Sequence, residues 1–164
     1  MSIAIPDPIE RLDPIERLYE DTFARDWQHV FRFALASTND LAAAEDLAQD
    51  AYVRLWQNRE RLDWTRPVLP WLLTTTRRLS TDRFRQLKRR ILPRPSVTTP
   101  DEAVRDRWLD VQRAMGRLSP LERIALVSTA MEGLSYEDAA TLLGTSQGAV
   151  RAAVSRARDK LEAA

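Results

Sequence analysis

The stretch from Leu134 to Leu161, LSYEDAATLLGTSQGAVRAAVSRARDKL, leaves its part of the chain little choice of local structure. Ser135 with Asp138 three residues later is a helix-start pattern, in which a hydroxyl accepts from a first-turn N–H that the helix cannot satisfy itself. Ala139, Ala140, Leu142 and Leu143 give this helix an apolar side. Gly144 ends it, because glycine takes the left-handed backbone without a Cβ clash. Thr145 or Ser146 then caps a second helix almost at once. Two helices joined by so short a turn cross at a steep angle, which makes a helix-turn-helix. In the second helix Val150, Val154, Ala157 and Leu161 share one face, with spacings of four, three and four. Gly148, Arg151, Ala152 and Ser155 share another. Their side chains are small apart from one arginine, so the wall of a DNA groove can come close. Arg156 and Arg158 flank that face, within reach of phosphates. A solvated basic helix that merely closes a bundle is the competing reading of this stretch.

Composition narrows the rest. The 164 residues include no cysteine, which removes disulfides, thiolate metal sites and cysteine nucleophiles. The single histidine, His29, lies in an amphipathic segment and suits a surface or packing role better than a metal site. Four glycines form no phosphate-cradling loop. No cofactor and no metal are expected. No signal peptide or membrane-spanning apolar run is present, so an intracellular location is expected. The net charge is only +1, but it is polarised. Residues 1–53 hold eleven acids against four Lys/Arg, a net of −7, and residues 74–95 hold eight Lys/Arg against one acid, a net of +7. Such a chain suits two partner surfaces, one anionic like nucleic acid and one basic like a protein face.

Along the chain, DPIERL occurs at 7–12 and again at 13–18. Asp13, Pro14 and Glu16 fit the cap, first and third positions of a helix expected from Ile15 to about Ala36. The first copy is read as a redundant start, a frayed turn or a docking arm. A second helix is expected over Leu41–Gln57, with Ala44, Leu47, Ala48, Ala51, Tyr52 and Leu55 facing a core. Its other face groups Asp46, Gln49, Asp50, Val53 and Gln57. An exposed valine beside two carboxylates suits protein binding as well as plain solvation. After a loop at 58–70, a third helix is expected from Pro70 to Ile91. Leu72, Leu73, Leu79, Phe84 and Leu87 form its apolar side. Thr74, Arg78, Thr81, Arg85 and Lys88, flanked by Arg77 and Arg89, form a cationic stripe that fits a nucleic-acid backbone. Trp64 and Trp71 near its start offer aromatic surface for stacking on unpaired bases. Residues 92–102 hold three prolines without apolar periodicity and read as a linker. Helices marked by Val104, Trp108, Val111 and Met115, and by the start Ser119-Pro120-Leu121-Glu122, then precede the helix-turn-helix. No strand pattern occurs.

Three segments in this order resemble the sigma-70 family of RNA polymerase factors, in its short extracytoplasmic-function (ECF, group IV) class. AEDLAQDAYVRLW (44–56) resembles region 2.2, PWLLTTTRRLSTDRFRQLKRR (70–90) regions 2.3 and 2.4, and 118–161 region 4. The resemblance implies an all-α chain of two small helical domains. It divides the chain into an N-terminal extension (1–17), sigma region 2 (18–91), a flexible linker (92–102) and sigma region 4 (103–164). It implies a promoter-specific initiation factor that is not an enzyme, working in the bacterial cytoplasm. The implied partners are core polymerase through its β′ clamp helices and β flap, promoter DNA and an anti-sigma factor, without membrane insertion. Asp46, Gln49, Asp50 and Val53 take the core-binding role. Trp64, Trp71, Thr74, Arg77, Arg78, Thr81, Arg85 and Lys88 take the −10 element, and the loop of about Glu60 to Leu69 a flipped −10 base. Ser146, Gln147, Gly148, Arg151, Ala152, Ser155, Arg156 and Arg158 take the −35 element. Two departures affect promoter sequence: Arg78 stands where the family usually has Asn, and Ala152-Ala153 where it often has Ser-Arg. A sigma-like mimic that binds only an anti-sigma factor, and a stand-alone helix-turn-helix regulator, are the alternatives. The linker is expected to leave the two domains weakly coupled.

Overall fold

The structure, a computed structural model, describes residues 13–87 and 102–163. Helix α1 (Pro14–Thr38) begins where local chemistry directs. The Asp13 carboxylate accepts from the N–H groups of Ile15 and Glu16 at 2.7 and 2.9 Å, and the Glu16 carboxylate accepts from the Asp13 N–H at 3.1 Å. Pro14 occupies a first-turn position whose missing N–H costs nothing there. The second DPIERL copy is therefore the helix start; the first copy lies outside the described residues. Helix α2 (Leu41–Asn58) is capped by Asp40, which accepts from the Ala43 N–H at 2.7 Å. Helix α3 (Leu69–Leu87) follows a loop tied by the Trp64 indole N–H, which donates to the Arg59 carbonyl at 2.7 Å.

These three helices bury one apolar core. Val30, Ala34 and Leu35 of α1 meet Ala44, Leu47, Ala48, Ala51 and Leu55 of α2, and Val68 and Leu72 at the start of α3. Small residues on α2 let the helices approach closely, so the leucines interdigitate at crystal-like density. An aromatic ladder covers one seam. Phe23 stacks on Trp27 at 5.1 Å, and both rings reach Tyr52.

The second half holds α4 (Glu102–Met115), α5 (Pro120–Leu126), α6 (Tyr136–Leu143) and α7 (Gln147–Glu162). Ser119 and Glu122 form the expected reciprocal cap on α5. Beyond Leu126 the α5 helix widens into a π-helical turn, Val127–Met131, which the sequence reading took as ordinary helix. Its end is satisfied by the Glu132 and Leu134 N–H groups, which donate to Val127 and Ser128 carbonyls at 3.0 Å each.

One expectation fails here. Phe84 is 62% exposed rather than part of a buried side. Ala153 is fully buried beside Val150 and Val154, so only Ala152 of that pair faces outward. The two halves also pack against each other. Phe33, Ala36 and Leu73 of the first half lie in one apolar cluster with Ile124, Ala125, Val127, Leu143, Val150 and Val154 of the second. Polar ties reinforce it. The Gln112 amide donates to the Asn39 carbonyl at 2.8 Å, and Phe31 meets Trp108 edge-on at 5.1 Å. The linker residues 92–101, and Lys88 to Ile91, lie outside the described residues. Among the described residues no helix is long and apolar enough to cross a membrane, and none is a strand.

Candidate polymerase and nucleic-acid interfaces

On α2, Asp46, Gln49, Asp50 and Val53 are all exposed, at the i, i+3, i+4, i+7 spacing that puts them on one stripe. Val53 keeps 52% of its surface in solvent. Sequence reading missed one neighbour. Arg83 of α3 pairs with the Asp50 carboxylate and also donates to the Ala43 carbonyl at 3.5 Å. It sits off the cationic stripe of α3, so a pattern search for that stripe passes over it.

On α3, Arg78 and Arg85 are exposed and Thr74, Arg77 and Thr81 half-buried, along one side of the helix. Arg77 donates to the Thr81 hydroxyl at 3.1 Å, which in turn donates to the Arg77 carbonyl at 3.0 Å. Thr74 donates back to the Pro70 carbonyl at 2.9 Å. Lys88 lies outside the described residues. Trp64 and Trp71 are half-buried against the first core, and Trp64 spends its N–H on the loop. Between the loop Trp64–Leu69 and α1 lies a groove of about 550 Å³, walled on the α1 side by Asp21, Thr22, Arg25 and Asp26.

The helix-turn-helix forms as its sequence requires. Ser135 accepts from the Asp138 N–H at 2.9 Å, and Ser146 from the Ala149 N–H at 3.1 Å. Gly144 closes α6 at φ 64°, the left-handed region that favours glycine. Gln147, Gly148, Arg151, Ala152, Ser155 and Arg158 are exposed along α7. The Arg151 guanidinium stacks over the Tyr136 ring at 4.7 Å, a cation–π contact that aims it along the outer face. Tyr136 was not singled out from sequence. Ser146 is committed as the cap, and Arg156 is committed too. Its Nε pairs with Glu122 at 3.2 Å, and Lys160 Nζ meets the same carboxylate at 2.8 Å.

Residues 16–90 match the family description "Sigma-70 region 2", and residues 108–161 match "Sigma-70, region 4". The chain belongs to the sigma-70 family. This sigma-70 chain is 35% identical over 142 residues to the probable RNA polymerase sigma factor RfaY of Xanthomonas campestris, covering 79% of itself but only 36% of that protein. It is 34% identical over 144 residues to the ECF RNA polymerase sigma factor SigL of Mycobacterium tuberculosis, covering 82% of itself and 78% of SigL. Among solved structures, CnrH in complex with the cytosolic domain of CnrY is similar at a TM-score of 0.62 and 27% identity, over 88% of this chain and 85% of that one.

Glu122 of α5 gives the seat of α7 a pH signature. The Lys160 ammonium first, then the Ser119 N–H and Arg156, hold its carboxyl down at about 2, below the ordinary 4.5. A carboxylate whose pKa is depressed on folding stabilises the fold above its unfolded pKa and loses that contribution as pH falls through the folded one. The stabilisation should therefore fade between about pH 4.5 and 2. Glu122→Gln is expected to lower the melting temperature at pH 7 and to flatten that acid limb. Parallel wild-type and variant curves across this range would show that Glu122 does not anchor α7.

Proposed function

We propose that this sigma-70 chain directs core RNA polymerase to promoters. The carrying observation is that an exposed acidic stripe on α2 and two exposed cationic faces, on α3 and α7, stand on separate helices of a chain matched by both sigma regions. Asp46, Gln49, Asp50 and Val53 meet a basic helical pair of the polymerase. Arg77, Arg78, Thr81 and Arg85 track the −10 backbone, and the groove behind Trp64–Leu69 receives an extruded base. Such a factor contributes positioning and strand separation, and polymerase supplies the chemistry. It acts in the cytoplasm, where the chromosome is. CnrH is in complex with the cytosolic domain of CnrY, and by likeness this chain too has a protein partner, which the ECF resemblance makes an anti-sigma factor. Run-off transcription with purified core polymerase tests the proposal; a folded chain that binds core yet never yields a promoter-specific transcript would overturn it.

For the −35 element, Arg151 is the one long side chain at the centre of the exposed face of α7, already held in place by Tyr136. A bidentate contact with guanine is the commonest specific readout and is worth about 1–3 kcal/mol. Arg151→Ala is expected to relax preference at one −35 position in a selection from randomised sequences. Arg158→Ala should instead weaken binding to all sequences alike and reduce the salt slope by about 1. Should Arg151→Ala and wild type select the same consensus, the reader is Gln147 at the start of the helix.

A further inference from the structure

The geometry points to a nucleotide site in the cleft between α3 and the end of α6, one that takes a nucleoside di- or triphosphate. Two walls of opposite polarity face each other there, across about 460 Å³. Small-molecule pockets commonly measure about 300–1,000 Å³. The α3 wall carries Arg77, Arg78 and Arg85 against a single carboxylate, Asp82. The opposite wall is the last turn of α6, Thr141–Gly144. A helix ends on carbonyls that lack a partner, and its partial negative charge gathers there. Here the Thr145 and Gly144 N–H groups turn back to the Ala140 and Thr141 carbonyls, at 3.0 and 3.3 Å. The Leu142 and Leu143 carbonyls are left over, with no backbone N–H to accept from among the described residues.

Opposite walls this close could satisfy each other, and they do not. Arg77 donates to the Thr81 hydroxyl of its own helix at 3.1 Å, and Arg85 lies 4.0 Å from the Asp82 carboxylate. Arg78 is exposed and makes no hydrogen bond or ion pair among the described residues. Contacts elsewhere fix the spacing of the walls. The buried Glu132 carboxylate of the second half, for one, accepts from Arg32 Nε of α1 at 3.0 Å. The cleft is therefore set before a ligand arrives, which lowers the cost of binding. Guanidinium groups take phosphate oxygens in charge-assisted pairs, whereas leftover carbonyls take only donors. A molecule that fills both walls is a polyanion at one end and an N–H donor at the other. A nucleotide has that layout, with phosphates for the arginines and a base amino group for the α6 carbonyls. Leu142 and Leu143 add apolar surface for the base. A bare polyphosphate satisfies the α3 wall alone. The site does not depend on the −10 reading of α3, although both use the same arginines.

Isothermal titration of the full chain with ATP, tripolyphosphate and adenosine tests the site. ATP should bind about tenfold tighter than tripolyphosphate, and adenosine should give no measurable heat. Arg78→Ala should weaken ATP binding by about tenfold, the worth of a charge-assisted pair, with an unchanged melting temperature. Thr141→Glu, at an exposed position on the other wall, sets a carboxylate where phosphate would enter and should weaken ATP at least as much. Arg54→Ala removes an exposed cation of α2, outside the cleft, and should leave ATP affinity unchanged. Absence of ATP binding, equal affinity for ATP and tripolyphosphate, or indifference to Thr141→Glu would each overturn the inference. Equal losses from Arg54→Ala and Arg78→Ala would overturn it too, since binding would then follow overall charge and not the cleft.

Discussion

Replacing Leu72 by alanine is expected to lower the stability of the chain by about 2–5 kcal/mol. Leu72 is fully buried where α3 meets α1 and α2, in the cluster with Val30, Ala34, Leu47 and Leu55. The loss combines the transfer term of the removed atoms with the cavity that stiff neighbours leave behind. In a chain of this size each kcal/mol moves the midpoint by about 2–4 °C, so the melting temperature should fall by about 10 °C. Thermal unfolding followed by circular dichroism reads this directly. Phe33→Ala is the instructive comparison. It opens a hole of similar depth, but in the cluster that joins the two halves. It should loosen the joint before it melts the first half, giving a broadened or two-step transition. A sharp single transition for both variants, with equal shifts, would mean that the halves unfold as one unit.

Asp50→Arg is expected to weaken binding to core polymerase by about tenfold or more, with little change in melting temperature. The stability part follows from exposure. Asp50 keeps 52% of its side chain in solvent, and exposed ion pairs such as Asp50–Arg83 contribute under about 1 kcal/mol. The binding part follows from charge reversal in an interface, where removing one partner of a close pair commonly costs a few kcal/mol. Arg83 sharpens the test, because it occupies the same carboxylate that polymerase would use. Arg83→Ala should release Asp50 and leave core affinity unchanged or slightly raised. Equal core affinity for Asp50→Arg and wild type, measured by competition with fluorescent sigma, would remove this stripe from the interface.

Much of the fold is written locally and was therefore readable. Asp13, Ser119, Ser135 and Gly144 announce their helix ends through hydrogen bonds within four residues, which a sequence shows as spacing. The α2 stripe and the outer face of α7 follow from helical period alone. What resisted reading depends on partners distant in the chain. Glu132 lies about one hundred positions from Arg32, and nothing in the run MEGLS marks it as buried. The burial of Ala153 is not marked in the sequence either, because Val150, Val154 and Ala157 already supply an inward face, which the packing of α5 and α6 widens by one residue. The pairing of Arg156 with Glu122, 34 positions away, is likewise invisible in the sequence. Phe84 fails for the opposite reason, since a helical period sets the direction of a side chain but not how much of it its neighbours cover.

Arg123 shows how such a joint stays separable. It is 9% exposed, and its guanidinium donates to the Ala36 carbonyl at 3.0 Å and to the Leu118 carbonyl at 2.8 Å. Helix α1 in the first half is thus finished by a side chain borrowed from the second, 87 positions on. Burial pulls the Arg123 pKa below the ordinary arginine value, the mark of a cation held away from water. Parting the halves rehydrates that cation, and this gain offsets part of the apolar surface exposed at the same moment. The joint is therefore weaker than its greasy area alone implies, a catch rather than a weld. Each parting also leaves the last turn of α1 without its loan, so the backbone around Ser37 to Asn39 should exchange its amide hydrogens in step with the separation of the halves.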